Sequence, residues 1–199
     1  MKKIILFPLL AFVFDCLELC AITTKDNELI IAAAQGNLER ARILIEYGAS
    51  ALAADNNGRT ALMAAADEGH KDMVSFLITN GAGVNVTDNN GKTPLMYAAE
   101  DGFNIALIKL LLAKKAKVNP TDKKGWTAIM YAANGGYLNA VKMLVDADGD
   151  YKVKALDGRT AKDLAAAKDL KNVVDYLTKK EALDKDIWAS DKDNDGDDD

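Results

Sequence analysis

Apolar and polar positions along this chain fall into blocks, and within each block the spacing is helical. From about residue 26 the order is an Asn/Gly turn, a short alanine-rich stretch, a second glycine-containing turn and a leucine-rich stretch. The order then starts again. In one leucine-rich stretch Met73, Val74, Phe76, Leu77 and Ile78 place their side chains on one broad helical face. Gly81 closes that helix, because glycine enters the left-handed C-cap conformation without a Cβ penalty. Alanines at 65, 66, 98, 99, 132 and 133 let paired helices approach closely. Neither helix of a pair can bury its apolar face alone, so the pattern predicts an all-α solenoid of stacked helix pairs.

The residues themselves recur. Asp55-Asn-Asn-Gly-Arg-Thr-Ala-Leu-Met-Ala-Ala-Ala returns as Asp88-Asn-Asn-Gly-Lys-Thr-Pro-Leu-Met-Tyr-Ala-Ala and as Asp122-Lys-Lys-Gly-Trp-Thr-Ala-Ile-Met-Tyr-Ala-Ala. A weaker copy runs from Leu156. Thr60, Thr93, Thr127 and Thr160 are 33, 34 and 33 residues apart. A degenerate first copy, in which Leu29, Ala32, Ala33 and Gly36 keep the phase, starts near Asp26. The five copies span 26–54, 55–87, 88–121, 122–154 and 155–180.

The period, the Gly-x-Thr-Pro/Ala-Leu/Ile string and the later Gly-Ala…Val-Asn string resemble the ankyrin repeat, of the exported bacterial type. Lys92-Thr93-Pro94-Leu95 and Gly81-Ala82-Gly83-Val84-Asn85 carry the resemblance most closely. It implies a repeat domain over 22–180, with β-turn fingers projecting from the helix stack and a concave face that recognises protein partners. Carried onto this chain, that face comprises Asn56, Asn57, Arg59, Asp67 and Glu68 in the second copy. The third supplies Asn89, Asn90, Lys92, Glu100 and Asp101, and the fourth Lys123, Lys124, Trp126 and Asn134. Trp126 stands where Arg59, Lys92 and Arg159 stand in other copies, so it is expected to be an exposed hot spot.

Departures from the family pattern carry expectations of their own. The third copy has one extra residue between Gly102 and Ile108, expected at the start of its second helix. Lys115 and Asp148 replace the capping glycine, and rearranged turns are expected there. Lys162 replaces the apolar residue of Leu62, Leu95 and Ile129, as suits a terminal copy whose outer face meets water.

Outside the repeats, Met1-Lys2-Lys3 and the apolar run Ile4 to Phe14 form a leader of the export type, with cleavage expected after Ala21. A periplasmic or secreted location follows as an expectation. Both cysteines, Cys16 and Cys20, lie in that leader, so the remainder offers no thiol, disulfide or cysteine metal site. The formal net charge of −5 comes from the last nine residues, where six aspartates outweigh one lysine. The body is thus neutral, which argues against nucleic acid as a partner. A monomer is expected, without stable membrane insertion once the leader is gone.

Candidate chemistry is thin, and neither a cofactor nor enzymatic activity is expected. His70, the one histidine, follows Gly69 and is expected to serve the turn. Met63, Met96 and Met130 share a phase and should pack as a ladder along the stack. Residues 181–199 are expected to be a disordered acidic tail. Within it Asp191, Asp193 and Asp195 open a D-x-D-x-D-G string, the first half of a calcium loop. The glutamate at the twelfth position and the flanking helices are missing. A calcium-responsive envelope protein is therefore the alternative to a protein-binding module.

Overall fold

The computed structural model describes residues 24–102 and 104–192, with side chains to 185. The leader (1–21) and residues 193–199 lie outside the described residues. Among the described residues ten helices follow one another: α1 (24–34), α2 (Leu38–Glu46), α3 (Ala61–Asp67), α4 (Lys71–Thr79), α5 (Pro94–Asp101), α6 (Ile105–Ala113), α7 (Ala128–Gly135), α8 (Leu138–Asp146), α9 (Ala161–Ala166) and α10 (Lys171–Lys192). Among the described residues the β component is one isolated antiparallel bridge, between Ala54 and Thr60.

The helices form two layers. The first helices pack in the order α3–α5–α7–α9 and the second helices in the order α2–α4–α6–α8–α10. Within a copy the two helices also pack on each other, as α3 on α4 and α7 on α8. The inner first helices α5 and α7 are therefore walled in on three sides, and small side chains suit this layer: Ala61 through Ala66 are all buried, as are Ala128 through Ala133. Met63, Met96 and Met130 are each at most 1% exposed, the packed ladder their shared phase predicts.

Threonine starts each of these helices. Thr60, Thr93, Thr127 and Thr160 are the N-caps of α3, α5, α7 and α9, and each hydroxyl accepts the backbone N–H three residues on. Such a cap contributes about 1 kcal/mol. Asp163 also accepts from the Thr160 N–H at 2.9 Å, completing a capping box.

Three expectations need correction. Lys115 and Asp148 do not rearrange their turns: both hold left-handed φ, 66° and 61°, where Gly48 and Gly81 have 89° and 90°. Asparagines in the preceding finger loops clamp them. Asn85 donates to the Lys115 carbonyl at 3.1 Å and accepts from the Lys117 N–H at 2.8 Å, and Asn119 does the same for Asp148 and Asp150 at the same distances. Next, the extra residue of the third copy precedes the second helix rather than opening it. The N-caps His70 and Tyr137 directly follow Gly69 and Gly136, whereas the N-cap Asn104 follows Gly102 by two.

The last correction is the acidic tail, which does not begin at 181. α10 continues to Lys192, so a helix does precede the acidic string, and the backbone of Asp191 lies within it. Two contacts explain the extension. Lys162 Nζ donates to Glu181 at 2.5 Å, and Tyr151 Oη donates to Asp184 at 2.5 Å. The lysine that ends the apolar series thus finds its carboxylate on the helix that closes the stack.

Candidate recognition surface

The second, third and fourth finger turns are each built around the carboxylate that opens the repeat string, Asp55, Asp88 or Asp122. Asp122 Oδ1 accepts the N–H groups of Lys124 and Trp126, both at 2.8 Å, and Asp88 Oδ1 accepts those of Asn90 and Lys92. The second oxygens face the first helices. Tyr131 Oη donates to Asp122 Oδ2 at 2.6 Å, and Tyr97 Oη donates to Asp88 Oδ2 at 2.8 Å. Both aspartates are buried, and burial of each phenol, then its hydrogen bond to the carboxylate and that carboxylate's charge, raises the tyrosine pKa well above the ordinary phenol range.

The fingers are also tied to one another along the stack. The Asn89 N–H donates to the Asn57 carbonyl at 2.9 Å, Lys123 to Asn90 at 2.8 Å and Leu156 to Lys124 at 3.0 Å. The side chain of Asn89 adds a bond to the Asn56 carbonyl at 3.0 Å. Asn89 therefore serves the scaffold, while the side chains of Asn56, Asn57 and Asn90 remain exposed.

Two residues further along, the cations of the second and third copies lie down onto the first helices instead of projecting. Arg59 Nη2 pairs with Asp67 at 2.6 Å, and its guanidinium carbon lies 5.3 Å from the centre of the Tyr97 ring. Lys92 pairs with Glu100, and its ammonium sits 4.0 and 4.6 Å from the centres of Tyr97 and Tyr131, leaving the side chain 13% exposed. A cation over two aromatic faces gains from both ring quadrupoles.

Trp126 completes the row and corrects the expectation of an exposed ring. It is half-buried, edge-on to Tyr131 with centroids 5.1 Å apart, and Lys124 lies 5.8 Å over its face. Arg59, Tyr97, Lys92, Tyr131, Trp126 and Lys124 thus form a continuous stripe through the second, third and fourth copies. Tyr97 and Tyr131 were not foreseen. Their signal was present: both follow the buried methionine of the string, where the second copy has Ala64, and one helical step turns a side chain from the core toward the finger.

The far ends of the first helices carry the remaining candidates. Glu68 and Glu100 are exposed, and Asp101 is partly buried. Burial, then the charges of Asp67 and Glu68, raises the Asp101 pKa above the usual carboxylate value. Asn134 is half-buried, with its carbonyl accepting from Lys168 Nζ at 3.0 Å. His70 is committed to packing: its Nε2 lies 3.0 Å from the Ala34 carbonyl, and its ring fills the space beside Gly36. Asp193 and Asp195 lie outside the described residues.

A family model for ankyrin repeats, three copies long, matches residues 9–88, 29–122, 69–155 and 95–191. The chain belongs to the ankyrin-repeat family. No individual curated protein matches it. Ankyrin repeats are generic protein-interaction modules. No described helix is long and apolar enough to cross a membrane.

Proposed function

We propose that this protein is a non-catalytic interaction module that binds a protein partner outside the cytoplasm, through the face made by its finger tips and first helices. The observation that carries the reading is the stripe from Arg59 to Lys124. Its tyrosines and tryptophan are held rigid by buried aspartates and by packing, so binding would order few side chains. Aromatic and arginine side chains set in a rigid frame are the usual carriers of interface energy. The location rests on Lys2, Lys3 and the apolar run Ile4 to Phe14, and on a remainder without cysteine.

Affinity variants test the reading against the partner recovered from the native host. Lys124→Glu and Trp126→Phe should each weaken binding by about tenfold or more while the fold persists. Lys109→Glu, on the exposed side of the second-helix layer, should leave it unchanged. Equal effects from all three would refute the assignment.

A further inference from the structure

The fourth finger differs from the second and third in one respect that bears on what it binds. In the second and third copies the finger cation is neutralised by a carboxylate eight residues later, Arg59 by Asp67 and Lys92 by Glu100. In the fourth copy the corresponding residue is Asn134, and the finger holds Trp126 with two lysines at its tip. Lys123 and Lys124 are exposed, and neither ammonium has a carboxylate within 4 Å among the described residues. The acids of the same fingers are already engaged: Asp122 is buried with both oxygens bonded, and Asp157 is held by Arg159 Nε and Nη2 at 2.8 and 2.6 Å.

Beside these lysines lies an apolar contact. Leu156, whose N–H is bonded to the Lys124 carbonyl, is 82% exposed at the tip of the fifth finger. The equivalent positions are Asn56, Asn89 and Lys123, all polar. Two cations without a carboxylate partner among the described residues, one exposed leucine and the edge of a half-buried tryptophan therefore adjoin at the C-terminal end of the finger row.

We infer that the tips of the fourth and fifth fingers take an acidic peptide segment of the partner, one whose carboxylates meet Lys123 and Lys124 and whose aliphatic side chain packs on Leu156 and Trp126. The inference rests on the reading of this face as the partner surface, and it adds the chemistry of the ligand. Charge complementarity selects an acidic chain. The leucine selects a peptide over a nucleic acid, whose phosphates would gain nothing from it.

The test is a titration of the full chain with a labelled decapeptide of aspartate and glutamate around one leucine, read by anisotropy. The acidic peptide should bind at least about tenfold more tightly than its Asn/Gln analogue, and should weaken in high salt. Lys123→Glu with Lys124→Glu should abolish binding. Asn134→Asp, which restores the neighbours' carboxylate, should weaken it severalfold without lowering the melting temperature. Equal binding of acidic and amide peptides, or indifference to the lysine variants, would overturn the inference. So would tighter binding of a single-stranded oligonucleotide of the same charge. An affinity gain of about tenfold on deleting residues 193–199 would also overturn it, by assigning the site to the chain's own acidic end. Failure with the peptide while the partner still depends on Trp126 rejects only the acidic chemistry. Loss of that dependence rejects the surface itself.

Discussion

Tyr131 and Asp122 form the joint between finger and helix in the fourth copy: the phenol donates at 2.6 Å to one carboxylate oxygen while the other holds the Trp126 N–H at 2.8 Å. Recognition residue and scaffold are therefore connected through a single buried acid. Tyr131→Phe leaves that oxygen without its donor at an unchanged shape, and an unsatisfied buried acceptor costs about 1–3 kcal/mol. Urea denaturation should show this loss for Tyr131→Phe, and a comparable one for Tyr97→Phe. Tyr47→Phe, at a ring 69% exposed, should be neutral. Equal midpoints for all three would mean that the joint contributes nothing to stability.

Lys115 and Asp148 hold left-handed backbone where glycine is the relaxed choice. Lys115→Gly and Asp148→Gly should each stabilise the protein, by up to about 1 kcal/mol after the added freedom of the unfolded glycine is deducted. The clamps from Asn85 and Asn119 bond only backbone atoms and survive both changes. A drop in melting temperature for either variant would contradict the strain.

Asp101 gives a pH dependence of definite sign. Its folded-state pKa is raised by burial and by Asp67 and Glu68, so the folded protein resists its ionisation. Stability from this group therefore falls as pH rises from the unfolded carboxylate value, about 4, through the raised folded value, and the penalty stays constant above it. Asp101→Asn should raise the melting temperature at pH 7 and leave it unchanged near pH 3. An equal shift at both values would trace the effect to something other than charge.

The C-terminal helix separates two truncations. Ending the chain after Lys192 should leave thermal stability unchanged, because the removed residues are polar and acidic. Ending it after Lys180 removes Glu181 from Lys162 and Asp184 from Tyr151, and exposes the last repeat. Melting temperature should fall for the second truncation alone. A fall for both, or for neither, would remove α10 from its role as the closing helix.

Much of this architecture was legible in the sequence because a repeat states its pattern several times. The four threonines gave the period, the shared phase of Met63, Met96 and Met130 gave the buried ladder, and the alanines gave the close approach of paired helices. What stayed hidden depends on contacts between side chains far apart in sequence. Position alone made Arg59 and Lys92 look like projecting cations, but their neutralisation by Asp67 and Glu100 and their seat on Tyr97 and Tyr131 are tertiary facts. Trp126 folded down for the same reason, since Tyr131 offers it an edge. The reach of α10 was hidden because Glu181 and Asp184 look like tail acids until Lys162 and Tyr151 are placed opposite them.

The central claim is that partners engage the finger-and-first-helix face. The most direct measurement is a photo-crosslinking map with a photoreactive residue placed singly at Asn57, Asn90 or Lys124 on that face, and at Lys109 or Asp175 on the second helices. All five positions are exposed. In the native host the first three should give one shared adduct and the last two none. Adducts confined to Lys109 and Asp175 would place recognition on the opposite layer and contradict the account.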